Sequence, residues 1–380
     1  MTSDVKNIQL KQTRKVSFSQ YALIAVVLFL ATKACTLPSL LADTAGAKAI
    51  WVVLLLFGTE CLLLFFATQT ARMGGLFALE VPMGAKIAAG IPLLLFFTLK
   101  LAAFTREIST YFALSLFENV PVLPVSIILL VFTCLFAHKG FSSVGRVLEI
   151  FVWLFVFVFL FVIIFTRTEG DLFNALAIVN PDVHGMGDGF FRALGWFGDM
   201  QIAAFLDLSG QEAGALSKIK KTAPSHRQGK ILFPAILCSF LLLSVFYVVF
   251  TSVYGESAKM TDYAFIKLSA FRANTDELGS ADWPMITLWS VLSFSYLALL
   301  LLAGKECAVG IFRSTGQKEA RLAFALLSLF ALAFSFFLLG ESSDYRAFMT
   351  KVMNVVTLIT AFVTVAMGCV AISKRKTSHE

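Results

Sequence analysis

The stretch FLATKACTLPSLL, residues 29–41, sets a lysine, Lys33, inside an apolar run of the kind that crosses a membrane. An ammonium at the centre of a bilayer costs at least about 2.5–3.5 kcal/mol on insertion scales, so such a residue reads as functional and needs a partner. The search for that partner organises the reading of the rest of the chain.

Of the 380 residues 58% are hydrophobic and 14% charged, and 40 are phenylalanine. A soluble domain of this size cannot cover so much apolar surface, which makes the chain an all-α polytopic membrane protein. The net charge of +7 does not point to nucleic acid, because the basic residues gather in the short segments between apolar runs. Cys35, Cys61, Cys134, Cys238, Cys307 and Cys369 fall in or beside apolar segments without a CxxC pair. They read as small packing residues, and neither a metal nor a cofactor is expected.

Runs of about 20 apolar residues divide the chain into ten spans. They lie at roughly 18–42, 48–68, 87–116, 122–138, 147–166, 189–208, 230–254, 284–304, 321–340 and 348–372. With the amino terminus inside, the inner segments hold 20 of the 31 basic residues and the outer segments eight. That bias puts both ends in the cytoplasm, with residues 1–17 and 373–380 as tails. Residues 1–17 are basic and lead into span one without a small-residue cleavage site, so they read as a retained tail and not a signal peptide.

The three remaining basic residues, Lys33, Lys100 and Arg106, lie within spans, and Glu60, Glu107, Asp199 and Asp207 are acids at similar depth. Two spans are interrupted. Span one carries ATKACTLP, with Thr32, Lys33, Ala34, Cys35 and Thr36 ahead of Pro38; span six carries ALGWFGDMQ, with Gly195, Trp196, Phe197, Gly198 and Asp199. Each has a place where helix propensity falls and polar groups cluster at membrane depth. They open two five-span halves, about 18–166 and 189–372, and matching interruptions are the best sequence pointer to the midplane site of an inverted-repeat transporter. Facing each other there, Lys33 and Asp199 neutralise one another, with Glu60 as the rival partner. Residues 32–36 and 195–199 form the candidate ligand site.

Lys100 and Glu107 are seven residues apart in span three and so share a helix face, with Arg106 beside them. With Glu60 they form a candidate charge relay or gate, or they tie neighbouring helices together. Trp196 and Phe197 are placed to close over a bound side chain. The loops at 166–191 and 255–284 mix charge with aromatics and are candidate lids or partner surfaces. GMGDG, residues 185–189, lacks both a preceding strand and a GK[ST] ending, and reads as flexible connection and not as a phosphate loop.

Five stretches together resemble the spore germination permeases, the B subunits of germinant receptors, within the amino acid-polyamine-organocation superfamily. They are FSQYALIAVVLFLATKACTLPSLLADTAGAKAIWVVLLL (18–56), ENVPVLPVSIILLVF (118–132), HKGFSSVGRVLEIFV (138–152), NPDVHGMGDGFFRALGWFGDM (180–200) and DWPMITLWSVLSF (282–294). Their order and spacing carry the likeness over roughly residues 17–370. The resemblance implies a leucine-transporter-like fold, ten transmembrane helices in a 5+5 inverted repeat with helices 1 and 6 broken. It also implies residence in the inner membrane of a bacterial spore and nutrient sensing together with A and C subunits. One departure is plain: superfamily transporters usually carry glycines in the first break, where this chain has ATKACT.

Two functions follow. The first is a sensing subunit that binds a small nutrient, an amino acid, and passes a conformational change to partners. The second is a proton-coupled amino-acid secondary transporter. No nucleophile with its base, metal constellation or cofactor fingerprint points to an enzyme.

Overall fold

The computed structural model describes residues 16–115, 120–166, 170, 183–206, 225–270, 282–312, 317–337 and 342–377. Among these residues the secondary structure is helical. The helices are α1 (Phe18–Leu30), α2 (Leu37–Thr44), α3 (Ala49–Arg72), α4 (Met83–Ser115), α5 (Val122–Ala137), α6 (Phe141–Thr166) and α7 (Val183–Ala193). They continue as α8 (Ser225–Tyr254), α9 (Ala264–Ala270), α10 (Asp282–Ile311), α11 (Gln317–Phe337), α12 (Ser342–Ala347) and α13 (Asn354–Thr377). A π turn at Phe348–Met353 leads into α13.

Among the described residues each predicted span overlaps helix, and six helices are long and apolar enough to cross a membrane. Burial ranks them. In the most apolar stretches of α4 and α10, 67% and 72% of residues are buried inside the protein, against 33–39% for α3, α6, α8 and α13. The first two therefore form the centre, packed against each other, and the other four face outward. Their outward side chains, Phe65, Ile150, Phe157 and Phe362 among them, are exposed, as lipid-facing residues are.

α1 starts on a capping box. Ser17 Oγ accepts the Gln20 N–H at 3.2 Å while Gln20 Oε1 accepts the Ser17 N–H at 3.1 Å. It ends because Pro38 has no N–H for the Ala34 carbonyl and its ring crowds that carbonyl, so α1 cannot run on into α2. Residues 31–36 form turns between the two helices, and Pro38 sits in the first turn of α2, where its missing N–H costs nothing. No glycine is needed for this break, and that departure from the usual superfamily pattern does not prevent it.

The sixth span breaks differently. α7 passes into a 3₁₀ turn at Leu194–Trp196, the chain is extended at Phe197, and a second 3₁₀ segment runs from Asp199 to Phe205. Gly198 takes φ +87°, the left-handed region, and a Cβ there would stand 2.9 Å from Thr357 Cγ2. The expectation for GMGDG is corrected here: residues 185–189 lie within α7 and are helical. Most of the 166–191 loop, and residues 271–281 of the second loop, fall outside the described residues.

Candidate functional site

The two breaks meet in the interior beside α3, α4 and α10. The first presents freed carbonyls, and each described partner is a donor. Lys33 Nζ donates to Leu28 O at 2.7 Å, and Trp289 Nε1 of α10 to Ala31 O at 3.0 Å. The N–H groups of Phe265 and Ala264, at the start of α9, donate to Ala34 O and Cys35 O, both at 3.0 Å. The bond that Pro38 cannot make is thus supplied from a separate helix. Cys35 Sγ packs 4.0 Å from Ala31 O.

The second break presents freed N–H groups, and their partners are acceptors. Glu60 of α3 takes three of them: Oε1 accepts from Gly198 at 2.8 Å and Asp199 at 3.3 Å, and Oε2 from Met200 at 3.3 Å. A carboxylate set on successive backbone N–H groups is the usual answer to such a nest. Asn354 Oδ1, at the start of α13, accepts the Gly195 N–H at 2.5 Å. The backbones are so close here that a Cβ on Gly195 would meet the Met349 carbonyl of the π turn.

Between the breaks lies a buried group of four charges. Asp199 Oδ2 accepts from Lys33 Nζ at 2.7 Å, and its Oδ1 pairs with Lys100 Nζ at 2.7 Å and accepts the Tyr296 hydroxyl at 2.9 Å. Lys33 Nζ also stands 3.8 Å from Glu60 Oε1. Lys100 donates to Phe197 O at 2.6 Å. All four charged side chains are fully buried, and two ammoniums against two carboxylates leave no formal net charge. Desolvating each ion costs several kcal/mol, which only complete pairing offsets. Phe197 and Phe96 cover the ammoniums, with ring centroids 4.9 Å from Lys33 Nζ and 5.0 Å from Lys100 Nζ.

Lys33 therefore contacts Asp199 directly and has Glu60 as a second, longer partner. Lys100 and Glu107 both point inward from α4 but belong to different groups. Glu107, 3% exposed, accepts the Thr36 hydroxyl at 2.6 Å on Oε1 and the Tyr345 hydroxyl at 2.8 Å on Oε2. Trp196 Nε1 donates to Thr36 Oγ1 at 3.1 Å, so Trp196 belongs to this second group while Phe197 belongs to the first. A cavity of about 50 Å³ opens there, lined by Thr36, Glu107, Trp196, Tyr263, Tyr345 and Arg346 among others. Arg106 also lines it. Thr32 is also buried.

Sequence reasoning missed Trp289, Tyr296, Asn354 and Tyr345. The first two are spaced one heptad apart in α10 and so share a face, and a polar Asn354 in an apolar run is the same signal that singled out Glu60. Among the described residues no group of three or more His, Cys, Asp or Glu side chains converges as metal ligands would.

No protein-family model and no curated protein sequence matches the chain. Solved structures do. A Na+-coupled sialic acid symporter in a substrate-bound outward-open state aligns with TM-score 0.59 at 13% identity, over 90% of this chain and 78% of the other. The crystal structure of MhsT with L-phenylalanine aligns with TM-score 0.64 at 14% identity, over 90% and 87%. This is a leucine-transporter-like fold. A manganese transporter of Eremococcus coleocola, in complex with an aromatic bis-isothiourea substituted compound, aligns with TM-score 0.51 at 13% identity over 94% and 86%. Identities this low carry the fold alone. In leucine-transporter-like proteins broken helices supply the polar backbone of a midplane site, and here the breaks fall at residues 31–36 and 194–205. The protein is an integral, multi-pass membrane protein of this fold, and its structural neighbours are transporters.

Proposed function

We propose that the protein is the ligand-sensing membrane subunit of a spore germinant receptor, a germination permease that binds a small amino acid at the two breaks and signals to A and C subunits. The observation that carries this reading is the joint between the breaks. Asp199 holds Lys33 from the first half and Lys100 from α4 with one carboxylate, while Glu60 holds the backbone of the second break. The halves, taken as residues 18–166 and 189–372, are thereby joined through a small, fully buried group of charges, among their other contacts. A ligand that favours one arrangement of this joint over another shifts the whole bundle, which is what a sensor requires. The spore inner membrane and cytoplasmic termini belong to the same reading.

A second reading is a proton-coupled amino-acid transporter. It is favoured by the neighbours, one of which is a Na+-coupled symporter and another was solved with an amino acid bound. Purified protein in proteoliposomes separates the two. Binding of an amino acid without its accumulation under a pH gradient supports the sensor, and gradient-driven accumulation supports the carrier. Lys33→Met and Asp199→Asn, which unbalance the joint, are expected to abolish either response.

A further inference from the structure

Glu107 is a buried carboxylate for which, among the described residues, no cation lies within ion-pair distance; its two oxygens accept from the Thr36 and Tyr345 hydroxyls. The contrast with Asp199, which has two ammoniums and a phenol, is direct. A carboxylate buried without a counter-charge is costly as an ion, and a proton or a bound cationic group relieves that cost. Glu107 also lines the cavity between Trp196, Tyr263 and Tyr345, so such a ligand has room to reach it.

We propose that this cavity, and not the space between Lys33 and Asp199, receives the ligand, with Glu107 holding the ammonium of a small zwitterionic amino acid. This rests on the amino-acid reading above and moves its site. The midplane position is already filled by the chain's own groups: Lys33 occupies the freed Leu28 carbonyl as a ligand amine would, and Glu60 occupies the N–H nest as a ligand carboxylate would. In the cavity the opposite end of a zwitterion meets cations. Arg106 and Arg346 both line it, as does Asp262, which Arg346 binds through one Nη at 2.9 Å. A bare metal ion fits less well, because it demands about six oxygen ligands while the Thr36 and Tyr345 hydroxyls spend their protons on Glu107 and two guanidiniums stand nearby.

Size narrows the class. At roughly 10–15 Å³ of such space per water-sized group, about 50 Å³ holds only a few heavy atoms, the scale of glycine or alanine. Larger side chains require the Arg346–Asp262 pair, which also takes in Ser39 of α2, to open.

The test is binding of radiolabelled glycine and L-alanine to the purified full-length protein in lipid nanodiscs, with N-acetylalanine and sodium chloride as controls. Wild-type protein is expected to bind at least one of the two amino acids and not N-acetylalanine. Glu107→Gln is expected to weaken binding at least tenfold and Arg346→Gln several-fold. If the wild type binds and Glu107→Gln binds as well, while Asp199→Asn abolishes binding, this inference falls and the amino-acid reading stands with a midplane site. If the wild type binds neither amino acid, both fall. If sodium alone stabilises the protein through Glu107 and no amino acid binds, the site is a cation site and the proposal is overturned. Should Glu107→Gln fail to fold, Thr110→Cys at the cavity wall gives an independent readout: glycine is expected to slow its alkylation, and unprotected alkylation at saturating ligand overturns the proposal.

Discussion

The two interruptions at the centre of this protein do the same geometric work with opposite chemistry. The first, at residues 31–36, frees carbonyls, and an ammonium, an indole and the N–H groups opening α9 hold them. The second, around residues 195–200, frees N–H groups, and Glu60 and Asn354 hold them. A broken helix in a membrane is tolerated only where protein replaces the lost backbone bonds. Here the freed carbonyls of the first break draw donors and the freed N–H groups of the second draw acceptors, and Asp199 of the second break meets Lys33 of the first.

This polarity can be broken at graded cost. Asp199→Asn leaves two buried ammoniums without their shared carboxylate and is expected to cost about 3–5 kcal/mol, read as a large loss of melting temperature and monodisperse yield in detergent. The charge-balanced pair Lys33→Met with Glu60→Gln keeps one cation and one anion. It is expected to be less destabilised than the sum of the two single variants, by a non-additivity of about 0.5–3 kcal/mol. Gly198→Ala forces a Cβ into a left-handed turn beside Thr357 and is expected to cost about 1–3 kcal/mol by thermal unfolding. Trp289→Phe strips the donor from Ala31 O in the first break, at about 1–3 kcal/mol. Arg192→Ala, on the exposed side of α7 just ahead of the second break, removes the solvent-exposed pair to Asp188, and its effect is expected to stay within about 0.5 kcal/mol. Equal losses for Arg192→Ala and Gly198→Ala would count against the special status given to the breaks.

Much of the architecture was legible in the chain. Ten apolar runs, the Pro38 interruption and the glycine pair Gly195 and Gly198 located the helices and both breaks, because lipid forbids unsatisfied backbone and so writes span length and interruption directly into composition. Lys33 and Asp199 announced themselves for the same reason, since charge at membrane depth needs a partner. The roles of Glu60, Lys100 and Glu107 were not legible. Glu60 and Lys100 serve backbone atoms 138 and 97 positions away, and Glu107 turns to hydroxyls instead of joining Lys100 despite sharing its helix face.

By itself, then, the sequence determined that this is an all-α membrane protein with two broken helices and charges that must find company, because hydrophobic length and the cost of a buried charge are local properties of the chain. Only the tertiary structure decided which charge meets which, that α9 and α10 close the first break while α3 and α13 close the second, and that Glu107 is left facing a cavity. Those outcomes depend on polar atoms of separate helices arriving within about 3 Å of one another, the reach of a hydrogen bond, and no periodicity along the chain encodes that distance.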